Sequence, residues 1–325
     1  MLYPLTFHPI FKERVWGGRK LEQLYNKKLP VGVPIGESWE VSDRPGDISQ
    51  IAAGSLAGKD LHWLAEHHDQ ELLGAVRLQQ GRFPLLIKIL DAQQKLSLQV
   101  HPPPKQSAEL GGEPKTEMWY IADAAPGAEL FVGLRRGVTR EAFERKLATG
   151  LVEECCHRIQ VKAGDAMFLP SGRLHAIGAG LVIFEIQQNS DTTYRVFDWN
   201  RLGPDGKPRS LHLKESLASI DFNDFEPALI RSDFKRRGPF SSCLLVRDPL
   251  FTVELCEADA GATLPLPSHK MQILAVVDGR LGVCDHHTTV SLSAGGFGLI
   301  PACLSQLTMR LETSARFLRV EAGHG

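Results

Sequence analysis

Four side chains in the first half of this chain have the types and spacing to grip one divalent ion. In Leu96-Ser-Leu-Gln99-Val-His101-Pro102, a strand puts alternate side chains on one face, so Gln99 and His101 point the same way. In Lys115-Thr-Glu117-Met-Trp-Tyr-Ile121, a carboxylate opens an apolar strand and Lys115 shares its face. His175 ends the segment Gly164-x5-Pro170-x-Gly172-x2-His175, just after a turn at the mouth of a barrel. Two imidazoles, one carboxylate and one amide oxygen suit zinc, with open positions for water or substrate. A lone histidine in a strand is more often a hydrogen-bonded structural residue. Here the order and spacing of all four donors carry the reading.

These donors need a frame of strands, and the sequence supplies one. Short β-type runs closed by Gly, Pro, Asp or Asn recur at Phe83–Leu90, Leu96–Val100, Met118–Ala122, Glu129–Gly133, Ala166–Leu169 and Leu181–Gln187. They resume at Phe251–Glu257, Gln272–Val277, Gly296–Ile300 and Arg316–Glu321. Strands this short and numerous predict a mainly β sandwich or barrel. Helical pattern is confined to Lys59–Leu78 behind an Asp60 cap, Arg140–Thr149 behind a Thr139 cap, and Leu213–Ile220. Between Asp221 and Ser241 the text turns rich in Asp, Asn, Pro, Arg and Lys, which marks a boundary between residues 1–230 and 231–325. Gly164-Asp-Ala-Met-Phe-Leu-Pro170 is echoed by Gly295-Gly-Phe-Gly-Leu-Ile-Pro301, as two related barrels would produce. The echo places Gln306 where His175 stands and Cys303 where Gly172 stands, so the second barrel is expected to be metal-free.

At 325 residues there is chain enough for about two domains, and 43% hydrophobic with 23% charged residues is ordinary for a globular protein. A net charge of −1 without long like-charge blocks gives no footprint for nucleic acid or an anionic membrane, so an anionic substrate must be held by a few placed cations. The start lacks a basic, then apolar, leader, and no run approaches the roughly 18 apolar residues of a membrane span, so a cytoplasmic location is expected. The six cysteines make no Cys-x-x-Cys spacing and read as reduced and mostly buried.

Taken together, the motifs resemble a known family. Gly164-x5-Pro170-x-Gly172-x2-His175 is similar to the second cupin motif, and Gln99-Val-His101 with Glu117 to a modified first one. Ser97-Leu-Gln-Val-His-Pro102, Lys115-Thr-Glu-Met-Trp-Tyr120, Gly172-Arg-Leu-His175 and Glu185-x4-Ser190-Asp191-x3-Arg195 resemble the type I mannose-6-phosphate isomerases, short form. Trp16-Gly17-Gly18 and Gly36-Glu-Ser-Trp-Glu40 fit the same family. The resemblance implies two cupin-type (jelly-roll) β-barrels with a few peripheral helices. It implies one Zn²⁺ held by Gln99, His101, Glu117 and His175, and a sugar phosphate isomerised between aldose and ketose through a cis-enediol.

In such a reaction negative charge develops on two neighbouring oxygens. By resemblance Arg195 is the catalytic arginine that faces it; the alternative is a salt bridge to Asp198 or Asp191. Lys115, its pKa lowered by burial and a nearby cation, and Glu185 are the candidate proton carriers, or else hold ligands in orientation. Arg135, Arg136, Arg173, Lys88, Lys95, Ser97 and Ser190 are candidate phosphate donors, and Trp16 and Trp39 a candidate apolar wall of the sugar cleft. Two rival readings are an iron-dependent cupin oxygenase and a non-catalytic sugar-binding cupin.

Overall fold

The computed structural model describes residues 2–202, 206–284 and 289–323. Its antiparallel strands form two successive two-sheet sandwiches. In the first, a six-stranded sheet runs in the spatial order Ile10–Gly18, Ile35–Val41, Leu85–Ala92, Leu181–Gln188, Glu117–Ala124, Ala166–Leu169. It packs against a five-stranded sheet ordered Tyr194–Phe197, Leu98–Val100, His175–Ile177, Glu129–Leu134, Cys156–Gln160. Leu90, Trp119, Ile121 and Ile183 from one sheet meet Leu130, Val132 and Ile177 from the other. Strands distant in sequence lie side by side in this order, as in a jelly roll. The second sandwich repeats the plan with six strands between Lys235–Arg237 and Phe297–Ile300, and four around Arg280–Cys284.

Strand alternation gives the large sheet of the first sandwich two different faces. Glu117, Trp119 and Ile121 look inward, whereas Met118 and Tyr120 look out, with Ile87, Ile89, Phe184 and Ile186 beside them. That outer face packs on Leu255, Ile273, Leu299, Leu318 and Val320 of the second sandwich's large sheet, in one continuous core. Phe184 stacks on Phe297 with ring centroids 5.6 Å apart, and Tyr25 meets Phe184 edge-on at 5.7 Å. Near the chain start, Leu5 exchanges two main-chain hydrogen bonds of 2.8 Å with Leu299. The half-buried Lys27 pairs with the buried Glu40 at 2.7 Å and donates to the Gly295 carbonyl at 3.0 Å, which pins the two halves together.

The echoed segments fold alike. Glu117 lies opposite Leu169, and Gln272 lies opposite Ile300, the residue that matches Leu169. The second sandwich therefore holds a neutral amide, fully buried, where the first holds a carboxylate.

Helices sit outside the sheets. The expected helix over Lys59–Leu78 is two, Leu61–His67 and Asp69–Leu73, because His68 leaves the helical region (φ −139°, ψ 29°) and pairs through its ring with Glu71. Both expected caps form: the Asp60 carboxylate accepts from Trp63 N at 2.7 Å, and Thr139 Oγ1 accepts from Ala142 N at 3.2 Å. Helices Arg140–Ala148 and Leu213–Ser219 cover the outer face of the five-stranded sheet through Phe143, Leu147 and Leu217. No helix among the described residues is long and apolar enough to cross a membrane. All six cysteines are free, and four of them are buried.

The shared core makes a direct expectation. Phe184→Ala is expected to cost about 3–5 kcal/mol, in a single unfolding transition for the whole chain. Urea denaturation followed by tryptophan fluorescence checks this; two separated transitions would show that the halves do not depend on the shared core.

Candidate metal centre and its cleft

The site lies between the sheets of the first sandwich. His175 pairs in register with Gln99 on one side and Val132 on the other, which turns His175 and Gln99 inward together. His101 follows one residue after the strand Leu98–Val100 and keeps the same facing, while Glu117 reaches in from the opposite sheet. Ligand atoms of His101, Glu117 and His175 lie within 4.8 Å of one another, and all three residues are buried. His101 Nε2 is 3.4 Å from Glu117 Oε2, and His175 Nε2 is 3.4 Å from Glu117 Oε1.

Each imidazole has its other nitrogen engaged. His101 Nδ1 lies 2.8 Å from the Thr192 carbonyl, and His175 Nδ1 lies 2.9 Å from the Arg173 carbonyl. A carbonyl only accepts, so both Nδ1 atoms carry the proton and both Nε2 lone pairs face Glu117. Burial, and the Lys115 ammonium near it, push His101 down to about 3; burial also lowers His175. Both rings are thus neutral, as metal ligands must be. Neither Glu117 oxygen is the target of an aligned hydrogen bond, though both are fully buried. Burial works against its charge, yet the Lys115 ammonium holds its carboxyl well below the usual range. Two lone pairs and the two carboxylate oxygens that face them make a donor set that fits a divalent cation.

Gln99 stands beside this set. Its Nε2 is placed 3.2 Å from His175 Nε2, and rotating the amide by half a turn presents Oε1 instead. Only that flipped form makes Gln99 a ligand.

A cleft of about 340 Å³ opens beside the donor set, and Gln99, Lys115, Glu185 and Arg195 all line it. Lys115 Nζ lies 2.9 Å from Glu117 Oε2 and 3.4 Å from His101 Nε2. Burial opposes the ammonium, but among the chain's own groups the carboxylates of Glu117 and Glu185 outweigh burial and raise Lys115 above its ordinary value; the cation in the sequence-based expectation would act against them. Glu185 is raised by burial and by Glu117, against Lys88 and Lys115; its Oε1 accepts from Trp119 Nε1 at 2.8 Å, and its Oε2 faces Lys88 Nζ at 3.3 Å.

Arg195 is bonded to the Ser210 carbonyl at 2.8 Å, and its buried Nε has no partner. Among the described residues no carboxylate lies within ion-pair distance of it, because Asp198 is taken by Arg201 and Arg209 at 2.7 and 2.5 Å. The salt-bridge alternative for Arg195 is therefore not realised.

Of the candidate phosphate donors, Lys88 and Ser97 line the cleft. The others do not: Arg173 is paired with Asp224, Lys95 with Glu153 and Arg136 with Glu226, while Arg135 lines a different groove and Ser190 Oγ donates to the Glu113 carbonyl. Trp16 forms part of the wall as expected. Trp39 does not; it is fully buried, and its Nε1 donates to Glu37 Oε2 at 2.6 Å. Trp119, Arg14, Glu37 and Arg209 are lining residues that the sequence reading did not select. Alternation gave a signal for Trp119, two residues after Glu117 on the same face. Arg14 and Trp16 are brought in by a register irregularity between Glu13 and Gly18. A Cβ on Gly17 would meet Gly36 N at 2.4 Å, so only glycine allows the two strands to approach this closely.

Comparison with known proteins agrees with this arrangement. A model of the family described as phosphomannose isomerase type I, catalytic domain, matches residues 5–134. The chain is 34% identical over 322 residues to the probable mannose-6-phosphate isomerase GmuF of Bacillus subtilis, covering 98% of this chain and 99% of the relative. Mannose-6-phosphate isomerase ManA of B. subtilis is 43% identical over 223 residues, covering 67% of this chain and 68% of that one. The crystal structure of a mannose 6-phosphate isomerase from B. subtilis matches with a TM-score of 0.89 at 30% identity, over 98% of this chain and 100% of the other. With an alignment running nearly end to end in both sequence and structure, the chain belongs to the type I phosphomannose isomerase family.

Proposed function

We propose that this chain is a zinc-dependent aldose–ketose isomerase that interconverts mannose 6-phosphate and fructose 6-phosphate in the cytoplasm, through a cis-enediol. Residues 1–230 are the catalytic domain in this reading and residues 231–325 a metal-free companion. The observation that carries it is the donor set of His101, Glu117 and His175 in contact, through Lys115 and Gln99, with a cleft that Glu185 and Arg195 also line. Gln99, flipped, is the fourth ligand. When bound, zinc supplies a Lewis acid that polarises a carbonyl and its neighbouring hydroxyl without redox change.

The chain's own groups do the rest. Arg195 keeps its charge and has no carboxylate to spend it on, so its guanidinium is free to oppose charge developing on the two sugar oxygens. Lys115 and Glu185 are the groups able to carry the proton between adjacent carbons. Glu185 is suited because its raised pKa brings it nearer to neutrality than an ordinary carboxyl, and Trp119 fixes one of its oxygens. At the rim, Arg201 and Arg209 share the single carboxylate of Asp198, which leaves surplus positive charge beside Arg195 and Ser97 for a phosphate dianion. Trp16 and Trp119 supply the apolar wall.

Zinc-loaded protein is expected to form fructose 6-phosphate from mannose 6-phosphate in a coupled assay, to lose the activity on chelation and to regain it with zinc. No product beside a working positive control refutes the proposal, as tight sugar binding without turnover would; oxygen uptake with iron would point to an oxygenase instead.

Arg195→Ala is expected to lower kcat by about 10²–10³-fold while bound zinc stays at the parent level. Equal loss of activity and metal would make Arg195 a structural residue.

A further inference from the structure

Glu37 is a buried carboxylate at the cleft, outside the groups assigned above. Its Oε1 accepts from Arg14 Nε at 2.8 Å and its Oε2 from Trp39 Nε1 at 2.6 Å. Lys88, also buried, sits between two carboxylates: Nζ is 3.3 Å from Glu185 Oε2 and 3.9 Å from Glu37 Oε2, and 5.1 Å from the centre of the Trp39 ring. The two carboxylates are built alike, each with one oxygen fixed by an indole N–H, Trp39 for Glu37 and Trp119 for Glu185.

We propose that Glu37 is a positioning residue for the isomerisation, holding the Lys88 ammonium beside Glu185 at the cleft wall. The inference rests on the proposed function, because it gives Glu37 a purpose through Glu185. A carboxylate taken out of water loses more than a rim salt bridge returns, and Arg14 is about a third exposed, at 34%. Packing alone does not require an ion here. Burial disfavours the charge of Glu37, yet Lys88, Arg14 and the Trp39 N–H bring its pKa down to about 2, so Glu37 is a fixed anion at any working pH.

A fixed anion behind Lys88 shares its ammonium with Glu185, so that the amine is held between two carboxylates rather than against one. Removing the Glu37 charge leaves Lys88 held from one side only, and its amine is then freer to move away from Glu185.

The test uses the full-length zinc-loaded enzyme and two readouts, steady-state kinetics and the rate at which acetic anhydride acetylates Lys88, followed by peptide mass spectrometry. Glu37→Gln is expected to lower kcat about 10–100-fold, the size of effect typical for outer partners of a site, with KM within about threefold of the parent. It is also expected to raise Lys88 acetylation about threefold or more, because one of the two carboxylates that hold the amine in place is gone. Glu37→Asp keeps the charge and recovers part of both. Should Glu37→Gln not fold, Arg14→Gln, which removes the charged partner of Glu37 Oε1 at the partly exposed edge, carries the same comparison with smaller changes. An unchanged kcat, or a fall in kcat with Lys88 reactivity unchanged, overturns the proposal. A parent enzyme that makes no fructose 6-phosphate refutes the function instead, while the acetylation rate still reports whether Glu37 holds Lys88.

Discussion

The first sandwich is organised around a fully buried carboxylate. Glu117 has no exposed surface, and its charged partner is the Lys115 ammonium, 2.9 Å from Oε2. Such a group is costly unless positive charge comes to it. Lys115 brings one charge, and two neutral imidazoles turn their lone pairs to the same point, a donor set that fits a divalent cation. The carbonyls of Thr192 and Arg173 that fix the imidazole tautomers, and the sheet register that sets His175 against Gln99, follow from that requirement.

The same alternation that aims Glu117 inward fills the opposite face with apolar side chains. Trp119 and Glu185 face the cleft, while Met118, Tyr120, Phe184 and Ile186 face the second sandwich. A sheet with chemistry on one side and hydrocarbon on the other needs a cover for the second side, and the C-terminal half provides it. There, Gln272 occupies the place of Glu117, and a neutral amide makes no demand for a cation.

The donors were legible in the sequence because they lie on strands whose period is two and whose ends are marked by glycine and proline. The grouping of His101, Glu117 and His175, with Gln99 beside it, follows the spacing, and Asp60 and Thr139 act as the caps their types promise. What stayed hidden depends on contacts far apart in the chain. The strands Ile10–Gly18 and Ile35–Val41 carry polar residues on both faces and show no clean alternation. Arg14 and Glu37 therefore gave no sign of meeting Lys88. The surroundings of Lys115 are hidden for a related reason: sequence reveals that Glu117 is near, but not that Glu185 stands on the neighbouring strand to add a second negative charge.

The stack of Phe184 on Phe297 joins the cores of the two halves. An ion that binds only the folded chain stabilises it in proportion to the logarithm of its free concentration. If the halves unfold together, the second half, which carries Gln272 in the place of Glu117, shares in that linkage. The resistance of the whole protein to heat and proteolysis would then report the metal supply around it, including in regions some distance from any ligand.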